Sequence, residues 1–307
     1  MTLWQRVRRF LRSSLSQPDG DLREALGVSP GPAGVVVNEK TALRASAVWA
    51  CIRLLSGDLA SVPLILYRRR ENGKERADSH PLYGVLHDAP NDEIDSYRFV
   101  ELMMAWLLTW GNAYAEIVAD EDGRVRELWP LAPWLVTPER LRDRGPVAYR
   151  VQLPEGGQVL MRKDRVFHVA GLGYDGLVGY SPIRVAAREA IGLALATQEF
   201  GARFFGQGAR PGIVLEHPGK LSEKARENLR QSWEALHGGL SRSHRVAILE
   251  EGMKLSTFGV PPEEAQFLET RKFQVTDIAR IFGVPPHMIG DHEKGATYAS
   301  VEQQAID

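Results

Sequence analysis

Gly171, Gly173 and Gly176 match the glycine fingerprint of dinucleotide binding, after a strand-like run and before a helical one. Such a motif works by opening a helix among its glycines, so that free N-terminal amides meet a pyrophosphate. Here Leu177, Val178, Gly179 and Tyr180 intervene before Ser181, the cap signal of the next helix. The acidic residue required about 20 positions on, at the end of a second strand, would be Glu199. That residue falls inside a helical pattern with no second strand. A glycine-rich elbow ahead of a rigid helix is the better reading, and a nucleotide- or NAD-dependent enzyme built on the three glycines is the alternative.

His287, Asp291, His292 and Glu293 are of metal-ligating type. A zinc centre needs fixed geometry and hydrogen-bonded support behind its ligands, whereas these four share a glycine-flanked loop and read as solvated. His80, His87 and His168 have no nucleophile at a telling spacing, and neither a hydrolase elbow nor a Walker loop is present. Cys51, the single cysteine, lies in an apolar helical run and behaves there as a small hydrophobe. One cysteine permits no internal disulfide and no cysteine-rich metal site. Arg68, Arg69 and Arg70 read as a solvated hairpin tip, and Trp106, Trp110, Trp129 and Trp134 as core. No catalytic constellation emerges, and neither enzymatic activity nor a cofactor or metal is expected.

The elements that would position these residues follow from periodicity. A linker rich in Ser, Pro and Gly covers 13–34, and the folded body is expected to begin near Thr41. Ala45, Val48, Ile52, Leu55 and Leu59 mark an amphipathic helix that stops at Pro63. A strand is expected over 64–69 with Asn72 and Gly73 turning a hairpin, then a helix capped by Ser96 and ended by Gly111. Strands follow at 113–119, 126–129, 149–153, 158–161 and 166–170, separated by turn signals at Asp122–Gly123 and 154–157. Helices first and clustered strands after favour an α+β fold over alternating α/β.

From Ser181 the texture changes. Proline at the first helical position opens a helix expected to run unbroken to 205, about 25 residues or roughly 37 Å. Ala186, Ala187, Ala190, Gly192, Ala194, Ala196, Gly201 and Ala202 line it on several sides, which suits packing against more than one neighbour. Pro211 and Gly212 break the chain, and a small insert of about 50 residues follows: strand 213–216, helix 222–237, strands 246–249 and 254–258. A second long helix opens after Pro261 and Pro262, with Leu268, Val275, Ile278 and Phe282 on one face. Gly283 is suited to a left-handed cap, Pro285 and Pro286 forbid continuation, and a polar loop carrying Gly290 and Gly295 leads to a helix resuming near Thr297. The chain ends inside that helical pattern, which reads as truncation with a further domain beyond.

Composition limits the function classes. Lys and Arg number 38 against 39 Asp and Glu in 307 residues, which argues against a surface that grips nucleic acid all round. Apolar residues at 44% and charged residues at 25% are those of a globular protein, and no apolar run approaches the ~20 residues that cross a bilayer. No membrane association is expected. The basic amphipathic segment 3–12 lacks the apolar stretch and cleavage site of a secretory signal, and reads as a tail or as an arm that docks on a partner.

Several blocks carry a resemblance. They are 47–55 with Ala60, Pro63 and Leu64; His80, Pro81 and Leu82 with Leu86 and Asn91; Gly111 to Tyr114; and Leu131 to Pro133. Further on are Gly179 to Ile183, Phe204 to Gly206 with Pro211 and Gly212, and Ile281 to Pro286 with Tyr298 and Glu302. In order and spacing, from about Thr41 to the end, the chain resembles the portal proteins of tailed bacteriophages, of the type paired with the Hong Kong-type capsid fold. The resemblance implies a ring of about twelve copies at one capsid vertex. It implies a flexible arm and linker at 1–34, a wing domain at 35–180, and stem helices at 181–210 and 261–285 bracketing a clip at 211–260. A tunnel loop at 286–296 and the start of a wing helix at 297–307 follow, with a crown absent from this chain. Double-stranded DNA would pass through the channel without sequence specificity, touched by His292 and Lys294 on a loop hinged at Gly290 and Gly295. The terminase large subunit and then head-tail adaptor proteins would dock on the clip, in the region of Arg226, Arg230 and Trp233. Capsid and scaffold proteins would be further partners, at the virion vertex and, during assembly, in the host cytoplasm.

Overall fold

The computed structural model describes residues 32–142, 145–154, 156–206, 212–237, 253–258 and 264–291. The folded body includes residues ahead of the Thr41 that periodicity implies. Val37 is buried, and Asn38 caps the short helix α1 (Glu39–Ala42) in a reciprocal capping box with Thr41. Helix α2 (Ser46–Ser61) follows the expected apolar stripe, burying Val48, Cys51 and Ile52. Strands β1 (Tyr67–Arg70) and β2 (Gly73–Arg76) make a hairpin where one is expected, but β1 starts later, the turn is Glu71–Asn72, and Gly73, at φ +106, is already paired with Arg70.

Sequence periodicity passes over α3 (Pro81–His87), where His80 Nδ1 accepts from the Leu82 amide and Pro81 fills the first turn. Helix α4 (Ser96–Trp110) has a different cap from the expected one. Asp95 accepts from the Arg98 amide at 2.7 Å, and the Ser96 hydroxyl donates instead to the Leu86 carbonyl at 2.6 Å. Asn91 ties this corner to the sheet, its amide donating to the Leu128 carbonyl while its oxygen accepts from Glu93 and Ile94.

The strands form two three-stranded antiparallel sheets. One has the order β4 (Val125–Leu131), β3 (Asn112–Ala119), β8 (Val166–Ala170); the other β5 (Val136–Arg140), β6 (Val147–Gln152), β7 (Gln158–Arg162). Strand β5 escapes periodicity because Pro138 interrupts its pattern, which an edge strand tolerates. The pleat of β3 serves both sides: Ala113 and Ala115 pack with Phe99, Met103 and Leu128, and Tyr114 packs with Val136, Tyr149 and Val166. All strand pairs among the described residues are antiparallel, as in an α+β chain.

The long helix expected from 182 to 205 is broken. Helix α5 (Pro182–Val185) ends at Ala186, both the Ala186 and Ala187 amides turn to the Pro182 carbonyl, and α6 (Arg188–Gly206) starts afresh. Ile183 before the break, Ala187 in it and Ile191 after it all sit in one core with Val37, Val48 and Ile278. After β9 (Gly212–Glu216) come α7 (Glu223–His237) and β10 (Lys254–Phe258), and β9 pairs with β10. Helix α8 (Glu264–Phe282) returns onto α2 and α6, burying Ile278 and Ala279. The strand expected at 246–249 and the helix resuming near Thr297 lie outside the described residues, as does the side chain of Leu268.

Candidate functional site

The glycine motif is spent on internal packing. The Gly171 amide donates to the Gly111 carbonyl at 2.8 Å, and the Tyr180 amide to the Leu172 carbonyl at 2.9 Å. The Leu177 and Val178 amides both donate to Asp175 Oδ1 at 2.8 Å, and these backbone donors, Val178 before Leu177, lower the Asp175 pKa. A Cβ on Gly173 would lie 2.1 Å from the Tyr180 ring. These four amides are therefore engaged within the protein, and the helix that follows, α5, has four residues. The nucleotide-binding alternative fails on this geometry.

What the loop does is dock against Asn112. The buried Asn112 side chain donates to the Gly179 carbonyl at 2.9 Å and accepts from the Gly179 amide at 2.8 Å. His168 Nε2 lies 3.0 Å from Asn112 Oδ1, and Nδ1 lies 3.2 Å from the Tyr149 hydroxyl. An acceptor on one side and a hydroxyl on the other select the neutral ring with its proton on Nε2. Burial pushes the His168 pKa down to about 4. Ser181 extends the cluster, its hydroxyl donating to the Thr109 carbonyl at 2.6 Å. Sequence reading gives His168 no partner because Asn112 and Tyr149 are 56 and 19 positions away. No periodicity reports such contacts.

Helices α6 and α8 pack side by side. Gln274, buried, donates from Nε2 to the Thr197 hydroxyl at 3.1 Å, and Thr197 donates onward to the Leu193 carbonyl. Leu193 is 46% exposed on α6 and Phe273 is 61% exposed on α8. Helix α8 ends as its sequence dictates, with Gly283 at φ +69 and the Val284 amide on the Ala279 carbonyl.

The chain beyond does not leave the body at once. Pro286–Ile289 form a 3-10 turn, Ile289 packs with Cys51, Ala279 and Val284, and Gly290 closes the turn at φ +85. Burial against these groups raises the Cys51 pKa to about 11, as for an inert core thiol. His292, Lys294 and Gly295 lie outside the described residues. On α7, Arg230 pairs with Glu227 at 2.7 Å, and the Arg226 amide closes the first turn on the Ser222 carbonyl. The Trp233 side chain is outside the described residues.

The tryptophans depart from expectation. Trp134 is 49% exposed and lies against Trp110 and Trp106, while Trp106, Trp110 and Trp129 are only half-buried. Indole is too large and too polar at its N–H to be hidden routinely. With Trp49, Ile52 and Leu102, three of them (Trp106, Trp110 and Trp134) line a groove of 590 Å³ edged by Lys40, Arg53 and Arg98. Among the described residues no three His, Cys, Asp or Glu side chains cluster to hold a metal, and no helix is long and apolar enough to cross a membrane.

Comparison with known proteins gives this arrangement its relatives. The family described as Phage portal protein matches residues 46–307. The chain is 38% identical over 279 residues to the probable portal protein of Streptomyces phage phiC31, covering 87% of this chain and 60% of the relative. It is 35% identical over 274 residues to the portal protein of Enterobacteria phage HK97, covering 88% and 63%. This chain thus spans less than two thirds of the length of either relative. Among solved structures, an HK97-family phage portal protein from Corynebacterium diphtheriae has the same fold, with TM-score 0.64 at 19% identity over 89% of this chain and 85% of that one. A chain from the neck of an empty GTA particle, computed with C6 symmetry, has TM-score 0.59 at 26% identity over 94% and 75%. Family match and portal-like fold agree: this chain belongs to the phage portal protein family.

Proposed function

We propose that copies of this chain form the ring of a portal vertex, a channel through which double-stranded DNA enters and leaves a phage or prophage capsid. The observation that carries this reading is the α6–α8 pair. It is sealed on its inner side by Gln274, Ile278 and Ile191, yet it keeps Leu193 and Phe273 exposed on other sides. Apolar side chains on a rigid rod suit contact with the same rods of neighbouring copies, and a head-to-tail contact that closes gives a ring. Neck particles computed with C6 and C12 symmetry among the structural neighbours support a ring of about twelve.

In this reading residues 35–180 are the wing, which meets capsid and scaffold proteins, and α6 and α8 are the stem. The β9–α7–β10 insert is the clip, on which the terminase large subunit docks during filling and head-tail adaptors afterwards, in the region of Arg226, Arg230 and Trp233. The tunnel loop is rooted by the docked Pro286–Ile289 turn and hinged at Gly290 and Gly295. Lys294, with His292, makes transient phosphate contacts inside the channel. A near-neutral subunit suits a conduit, because a strongly basic wall would hold its cargo. Assembly takes place in the bacterial host cytoplasm, and the product sits at the capsid vertex.

Negative-stain images and native mass of the purified protein test the ring: about a dozen subunits are expected, and a stable monomer or dimer overturns it. Lys294→Glu should form rings and alter DNA packaging or retention. Wild-type packaging and retention would remove Lys294 from the channel.

A further inference from the structure

The β1–β2 hairpin divides its charges unequally between its two faces. Read along the chain, Arg68, Arg69 and Arg70 are an undifferentiated basic run. The antiparallel register sorts them. Tyr67 lies opposite Arg76 and Arg69 opposite Lys74, so these four side chains share one face of the ribbon. Arg68 lies opposite Glu75 and Arg70 opposite Gly73 on the other face, where Arg70 and Glu75 form an ion pair. One face is therefore partly neutralised, and the other holds three cations, one aromatic ring and no carboxylate. Lys74 Nζ sits 4.4 Å from the centre of the Tyr67 ring, which holds the ammonium on that face.

Two further features point to a ligand. All eight residues are exposed, and among the described residues the ribbon pairs with no other strand, its base closed by the Ala77 amide on the Leu66 carbonyl. Directly opposed like charges such as Arg69 and Lys74 are destabilising in a ladder. A face that keeps them with no carboxylate beside them is complementary to an anion from outside. Residues two apart on a strand are about 6.6 Å apart, a spacing that suits successive phosphates of one nucleic-acid strand, and a two-stranded ribbon is slim enough to lie at the edge of the major groove.

We propose that the Tyr67, Arg69, Lys74 and Arg76 face binds the phosphate backbone of double-stranded DNA without sequence preference, independently of the channel loop. The probe is a short labelled duplex of mixed sequence, titrated by fluorescence anisotropy against the full chain over a range of salt. Neutralising the face with Arg69→Gln, Lys74→Gln and Arg76→Gln together removes three phosphate contacts. The slope of log affinity against log salt should flatten by about 2.7. Arg68→Gln on the opposite face should change it by less than about 1. Because the triple variant relieves repulsion between exposed groups, its thermal midpoint should not fall, and native mass should give the same assembly as the parent. An unchanged slope in the triple variant overturns the proposal. So does polyglutamate displacing the duplex as effectively as unlabelled duplex does at equal charge, which would make the face a dock for an acidic protein.

Discussion

Asn112 grips Gly179 by both backbone groups, at 2.9 Å from its amide nitrogen and 2.8 Å from its amide oxygen, across 67 positions of sequence. This pairing fixes the glycine-rich loop to the first residue of β3. Removing it with Asn112→Ala strands the buried Gly179 amide and carbonyl and the half-buried His168 Nε2–H. Each unmade bond costs ~1–3 kcal/mol, and partial relaxation brings the expected loss to about 3 kcal/mol. Urea denaturation of wild type and variant measures it, and a loss below about 1 kcal/mol would mean that the loop is held elsewhere.

Protonation of His168 should weaken the same joint. In the folded chain its pKa is pushed down to about 4, against about 6.5 for an unperturbed histidine. Below pH 6.5 the unfolded chain binds a proton that the folded chain refuses, so stability rises with pH through this window. The contribution is complete above pH 6.5 and is lost as pH falls toward 4. The difference in stability between wild type and His168→Gln, followed from pH 7.5 to 4.5, should shrink on acidification.

Two left-handed glycines should respond differently to alanine. Gly111 sits at φ +73, and an added Cβ would lie 2.1 Å from the Tyr180 carbonyl oxygen. Gly123 sits at φ +76 in a turn with nothing within 4 Å. Gly123→Ala should cost only the strain of a left-handed alanine, about 1 kcal/mol. Gly111→Ala adds a backbone collision and should shift the loop or unfold the corner. Thermal midpoints of the two variants give the order, and equal shifts would refute the collision.

Burial makes the Glu39–Arg184 pair asymmetric. The Glu39 side chain is 3% exposed and that of Arg184 45%. Arg184→Met therefore leaves a buried carboxylate without its guanidinium, whereas Glu39→Gln leaves only a half-exposed cation. A fully buried pair broken this way loses ~3–5 kcal/mol, and the exposure of Arg184 reduces the expected figure to about 2 kcal/mol. Denaturation should rank Arg184→Met as the more damaging change, and the reverse order would contradict the burial argument.

How much of this was legible in the sequence depends on the range of the interaction. The α8 cap at Gly283 and the five strands expected between 113 and 170 follow from neighbours a few positions apart, and they stand as expected. The break at Ala186 and Ala187 does not follow, because alanine is the best helix former and neither glycine nor proline stands between Ile183 and Ile191. Similarly, Asn112, Tyr149 and His168 meet only once β3, β6 and β8 are paired. The two faces of the β1–β2 ribbon needed the register, and the turn expected at Asn72 and Gly73 sets it out of step with the observed Arg70–Gly73 pair.

Ring formation should depend on side chains that the single chain leaves exposed. Leu193 and Phe273 lie on α6 and α8, whereas the residues holding the two helices together, Gln274 and Ile278, are buried. Leu193→Asp with Phe273→Asp should leave the fold of one chain intact, because neither substitution buries a charge within it. If rods from neighbouring copies meet there, each carboxylate enters an apolar contact once per subunit, and the cost multiplies around the ring. Native mass should then report monomer with an unchanged circular dichroism spectrum, and the thermal midpoint should fall only by what the lost assembly contributed. Gln274→Leu is the contrasting variant: it acts within the chain and should alter stability but leave the subunit count as it was. Rings that persist in the double aspartate variant would exclude these faces from the subunit contact and leave the assembly to be built through the wing.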